Sequence, residues 1–239
     1  MRCGRTFLAS LAAATLVFTS AAFGQPAEVT AQAKVSFAGA AGNAGHHSNE
    51  GVVLWLTPID APFPVRAPGT ARNHVQLAQK NKQFVPHLLV VQTGSIVDFP
   101  NLDPFFHNVF SLFNGKRFDL GLYESGTTRS VRFDRPGISY IFCNIHPEMS
   151  AVIVSVPTPY YATSSPSGQL VIHDVSPGNY TMHVWAIGNS DAAMAALSRR
   201  ITVSSGAVDL GTIALHESGP GPHKNKFGED YDTQRPPPY

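Results

Sequence analysis

Cysteine is almost missing from this chain, with two in 239 residues, Cys3 and Cys143. Cys3 lies ahead of an N-terminal apolar run, so Cys143 is the one thiol left to the body of the protein and an internal disulfide is excluded. Charge is also scarce: 14% of residues are charged, and the 17 Lys and Arg nearly balance the 16 Asp and Glu. Such a balance implies neither nucleic acid nor an anionic membrane as a partner. The longest apolar run, Phe7 to Phe18, is shorter than the roughly 20 residues that cross a bilayer. No long segment carries the apolar stripe of a helix, which excludes an all-α bundle. A Ser/His/Asp pattern, a phosphate-cradling glycine loop and paired carboxylates do not stand out, so the common hydrolytic and nucleotide chemistries find no support.

What the N-terminus does contain is the order of an export signal. Arg2 and Arg5 precede the apolar run, small residues follow, and Ala22-Phe23-Gly24 offers a cleavage site before Gln25. Residues 1–24 are therefore expected to be a signal peptide, and the mature protein to be periplasmic or secreted, with no stable membrane insertion. Loss of Arg2 and Arg5 takes the 17 basic residues to 15 against 16 acidic ones. An isolated thiol in an oxidising compartment is open to mispairing, so a partner that holds Cys143 is expected, and a metal would serve.

The remaining pattern is that of strands: short runs of Val, Ile, Phe and Tyr broken by Gly, Pro, Asn and Asp. Strands are expected over 30–38, 51–57, 85–91, 95–99, 107–113, 128–134, 138–143 and 151–156, an all-β set fitting a Greek-key sandwich. Past Pro157 a second β unit is expected, with strands over 170–175, 180–185, 200–203 and 207–215. At about 60 residues it would be marginal alone and should pack on the first. Ala192, Ala193, Ala195 and Ala196 favour a helical turn within 188–197. Residues 217–239, rich in Gly and Pro, read as a disordered tail.

Chemistry gathers in Cys143-Asn144-Ile145-His146-Pro147-Glu148-Met149. Alternation along Tyr140-Ile141-Phe142-Cys143 turns Cys143 inward with Ile141 at a strand end, and Pro147 forces the following residues into a loop. A thiolate, an imidazole and a thioether then sit at positions 1, 4 and 7 of that loop. Copper cycling between Cu(I) and Cu(II) favours two His and one Cys with a distant axial Met. The second histidine is expected to be His107, which lies between a turn and an apolar strand, and Asn108 beside it would bridge the two ligand loops through its side chain. Zinc also accepts Cys and His, but a thioether adds little to zinc.

The pattern His107-Asn108-Val109 followed by Cys-x-x-His-x-x-Met resembles that of the cupredoxins, the plastocyanin and amicyanin group of blue-copper electron carriers; the short loop is similar to the amicyanin type. The resemblance implies a Greek-key sandwich over residues 29–157, one copper ion held by His107, Cys143, His146 and Met149, and Asn108 as a supporting residue. No counterpart is assigned to Ala61 to Lys82, and Ser150-Ala151 stands where the family often has Gly. Residues 158–216, through Gly168 to Trp185, resemble the generally non-catalytic carboxypeptidase regulatory-like β-sandwich domains.

Function is expected to be electron carriage between a redox protein donor and acceptor, not enzymatic turnover. The rival expectation is a copper-binding or delivery module, or an accessory subunit, without rapid electron transfer. Phe105, Phe106, Pro147 and Phe113 would form an apolar rim around a solvent-facing edge of His146. The other histidines take plainer roles: His46 and His47 in a solvated loop, His74 and His87 at the surface, His173 and His183 structural, His216 and His223 in the tail.

Overall fold

The computed structural model describes residues 26–37, 49–60, 74–112 and 115–217. The expected signal peptide, the His46-His47 loop, Phe113 and the tail beyond Glu217 lie outside the described residues. The described chain is almost wholly β, as its alternating apolar pattern requires, with one short helix, α1 (Asp191–Leu197). Ser190 caps that helix, its hydroxyl accepting from the Ala193 N–H at 3.2 Å, and Met194 is its buried residue.

Two sheets enclose the first core. One has the order β6 (Leu88–Gln92), β12 (Ser150–Val156), β11 (Gly137–Phe142), β8 (His107–Ser111), β9 (Phe118–Tyr123). Facing it are β10 (Thr128–Arg132), β7 (Ile96–Pro100) and β3 (His74–Gln76). A small hairpin, β4 (Ala78–Lys80) and β5 (Gln83–Val85), lies beside them. Val97, Phe99, Val109, Phe133, Ile141, Cys143, Met149 and Ile153 are among the buried side chains of this core.

The second sandwich is made of β14 (Gln169–Val175), β1 (Ala27–Phe37) and β17 (Gly206–Glu217) against β13 (Tyr161–Thr163), β2 (Val52–Pro58), β15 (Gly178–Ala186) and β16 (Arg199–Val203). Here the structure departs from the expected division. β1 runs antiparallel to β14 and parallel to β17, and β2 pairs with β13 and β15. The two strands placed by sequence in the 29–157 unit thus complete the later one, and residues 74–156 are threaded between β2 and β13. The reason is physical: alternation tells which face of a strand is buried and is silent about its neighbours. A unit too small to be stable alone gains two strands and a core with Val29, Leu54, Leu56, Leu170, Ile172 and Leu215.

The five-stranded sheet serves both cores. Along β12, Ala151 and Ile153 face the first core while Val152, Val154 and Val156 face the second; along β6, Leu89 and Val91 face the first, Leu88 and Val90 the second. This explains the unbroken apolar run Ala151-Val152-Ile153-Val154, which a sheet wetted on one side would interrupt with polar residues. Leu54→Ala, in β2 and fully buried, is expected to lower the unfolding free energy by about 2–5 kcal/mol. Denaturant titration followed by circular dichroism checks this, and a cost under about 1 kcal/mol would contradict the placement of β2 in the core.

Candidate metal centre

His107 opens β8 and Cys143 follows the last residue of β11, two strands that run antiparallel with Phe142 opposite Phe110. The pairing sets the imidazole beside the thiol, and the alternation of β11 turns Cys143 into the first core with Ile141. His146 reaches the same point from the loop. Its Nδ1 is 3.6 Å from the Cys143 Sγ and 3.1 Å from the Nδ1 of His107, which lies 3.8 Å from the sulfur. His107 and Cys143 are fully buried and His146 is 3% exposed.

The loop is closed at its base. The Cys143 N–H donates to the Met149 carbonyl at 3.2 Å and the Met149 N–H to the His146 carbonyl at 3.0 Å. Pro147 and Glu148 project outward while Met149, buried beside Cys143, joins the core. Phe105 covers both rings, 5.2 Å from His107 in an edge contact and 5.7 Å from His146 in a tilted one. The solvent-facing edge expected for His146 is therefore nearly closed, and the exposed apolar side chains of the 101–106 loop are Leu102, at 57%, and Phe106, at 41%.

Burial acts on every donor. It pushes the Cys143 thiol up, against the N–H groups of Asn108, Ile145 and His146 that favour the thiolate. It holds His146 below the ordinary histidine value, helped by neighbouring His107 and Lys82, and His107 too, although Asp103 pulls His107 back up. Both shifts favour the neutral ring, which has a nitrogen lone pair to give, and the raised thiol means that a metal arriving there would displace a proton. The Nε2 of His107 is 2.8 Å from the Asp103 carboxylate. That contact fixes the proton on Nε2 and leaves Nδ1 free as a donor.

A point equidistant from the three donor atoms lies about 2 Å from each, within the range of metal–nitrogen and metal–sulfur bonds of about 2.0–2.3 Å. Among the described residues, His107, Cys143 and His146 form a group able to hold a metal ion. Two imidazoles and one thiolate, with a buried thioether at the end of the same loop, match the donor chemistry of copper better than that of zinc.

Asn108 differs from expectation. Its side chain donates to Asp119 on β9 at 2.7 Å and does not bridge to the Cys143 loop; the backbone N–H, not the amide, touches the sulfur. Asp103 was not singled out by sequence, although a carboxylate four residues ahead of a candidate ligand is a readable signal. The other histidines sit as ordinary ones do. His74 meets Asp98 at the surface, His87 meets the Ser150 carbonyl, His173 lies near Glu28, and His183 stacks on Trp55 and bonds to Thr57.

A sequence family described as polysaccharide lyase family 4, domain II, matches residues 157–209, the region expected to be carboxypeptidase regulatory-like, and this match does not show that finer likeness. No curated protein matches the chain. Among solved structures, the copper-containing nitrite reductase of Thermus scotoductus SA-01 is similar at 22% identity and a TM-score of 0.34, over 42% of this chain and 25% of that one. The chain thus spans a quarter of that reductase. A purple cupredoxin from Nitrosopumilus maritimus is similar at 21% identity and a TM-score of 0.31, over 34% of this chain and 99% of that one. A reduced amicyanin variant is similar at 20% identity and a TM-score of 0.34, over 43% of this chain and 98% of that one. Each likeness covers less than half of this chain, and the functional reading rests on the donor set.

Asn108→Ala keeps the N–H that reaches the sulfur and loses the bond to Asp119. It is expected to lower stability by about 1–3 kcal/mol while the Cys143 thiol stays as unreactive to a bulky thiol reagent as before. Unfolding curves and a thiol-labelling time course check the two halves.

Proposed function

We propose that this chain is an exported blue-copper protein that carries single electrons between redox partners, through one copper ion held by His107, Cys143, His146 and Met149. The observation that carries the reading is the convergence of one thiol and two imidazoles on a buried point of bonding size. Copper bound there supplies a one-electron Cu(I)/Cu(II) couple.

The chain's own residues do the rest. His107 and Cys143 are anchored on paired strands, so their separation is fixed by the sheet. His146 and Met149 are fixed by the two hydrogen bonds across the loop base. A donor set held this firmly has little to rearrange when the charge at its centre changes, and that is what fast electron exchange needs. Phe105 packs on both rings, and Met149 is fully buried in the same core as Cys143. Donors at most 3% exposed also argue against the delivery reading, which needs a metal that leaves easily. Leu102 and Phe106, exposed on the loop that carries Phe105, offer an apolar rim for a small, brief contact with a donor or acceptor. Among the described residues no helix is long and apolar enough to cross a membrane.

Addition of Cu(II) to the purified mature protein is expected to give an intense blue thiolate-to-copper band, lost in Cys143→Ser. A colourless copper complex would instead support the delivery module. Leu102→Glu is expected to leave that band unchanged and to slow electron self-exchange about tenfold, because two like charges then meet at the rim. Line broadening in mixtures of oxidised and reduced protein reads the rate, and an unchanged rate would place the contact surface elsewhere.

A further inference from the structure

The turn between β4 and β5 lies in the stretch for which the cupredoxin resemblance offers no counterpart, and it reaches the metal centre. Asn81 and Lys82, its two central residues, both have φ of 55°. Side chains other than glycine enter that region at a cost, so something must hold them there. Both backbone N–H groups point at one carboxylate: Asn81 donates to Oδ1 of Asp103 at 2.6 Å and Lys82 to Oδ2 at 2.9 Å. Asp103 is 4% exposed. Its third donor is the Nε2–H of His107 at 2.8 Å. Asn101 steadies the carboxylate's own backbone, its Oδ1 accepting the Asp103 N–H at 3.1 Å. A second contact repeats the link: the Lys82 ammonium sits 5.5 Å from the centre of the Phe105 ring, which packs on both imidazoles.

A buried carboxylate is costly unless several donors satisfy it, and here three do. A hydrogen bond to a neutral acceptor would suffice to orient His107; a full charge does more. Bound copper loses one unit of positive charge on reduction, so a fixed negative charge behind a ligand favours the oxidised ion.

We propose that Asp103, clamped by the Asn81-Lys82 turn, is the positioning residue of the centre: it sets His107 with Nδ1 inward and biases the bound copper towards Cu(II). The proposal rests on the copper reading, and its test separates the two. In the copper-loaded mature protein, Asp103→Asn keeps the shape and an acceptor while removing the charge. The blue band is expected to persist, and the Cu(II)-to-Cu(I) affinity ratio to fall about tenfold, read by redox titration as a rise of about 59 mV in reduction potential. A blue variant with an unchanged or lowered potential overturns the proposal and leaves the copper reading standing, whereas a wild-type protein without the blue band defeats the copper reading itself. Should Asp103→Asn fail to fold, wild-type protein in the Cu(I) state still decides. Nitrogen-15 NMR is expected to show a slowly exchanging His107 Nε2–H far downfield; a proton on Nδ1, or a rapidly exchanging one, overturns the orienting role.

Discussion

The antiparallel contact between β8 and β11 sets the distance from His107 to Cys143, and the candidate metal centre depends on it. Phe142 lies opposite Phe110, with their rings 5.9 Å apart. A slip of one residue in that register would send the Cys143 sulfur to the other face of the sheet. The register resists slipping because the sheet is buried on both faces: the residues of β12 and β6 alternate between the two cores, so a slip would bury the wrong set against each. Strand ends held in this way are better anchors for a donor set than loops alone.

Burial has opposing effects at the centre. It raises the thiol's pKa, which disfavours the thiolate that a metal needs, while it keeps both imidazoles neutral, which favours ligation. Three backbone N–H groups directed at the sulfur offset part of the first effect. The centre is therefore a poor place for a free thiolate and a good one for a thiolate already bonded to a cation.

The juxtaposition of Cys143 and His146 was legible because the two are local, separated by two residues, and the strand on either side can be read from alternation. His107 was legible for a similar reason, as a histidine at the start of an apolar strand. What sequence hid was pairing. Ala31 and Leu54 fall within the strands read from alternation, yet nothing in 27–37 or 52–58 says that their neighbours lie more than a hundred residues onward. β9 escaped because Gly121, at φ of 66°, interrupts its apolar pattern. The clamp on Asp103 was hidden more deeply, since two of its three donors are backbone N–H groups and their direction comes from the dihedral angles of a turn. Asn108 misled because an amide beside a ligand suggests a side-chain bridge, while the strand already delivers its backbone N–H to the sulfur.

Threading residues 74–156 between two strands of another sandwich has a consequence for how the centre meets its surroundings. The outer face of β12 and β6 would be exposed apolar surface without the second unit, so that unit is part of the first unit's stability. It covers this face from Val152 to Val156, and at the end away from the ligand loop Gly137 and Ile138 at the start of β11, and Val154 and Ser155 late in β12, line one cavity with Trp55, His183 and Met194 of α1. From Gly137 to Cys143 the strand advances about 20 Å, at roughly 3.3 Å per residue. The second unit therefore packs on the outer face of β12 and β6, while Leu102 and Phe106 of the 101–106 loop stay exposed.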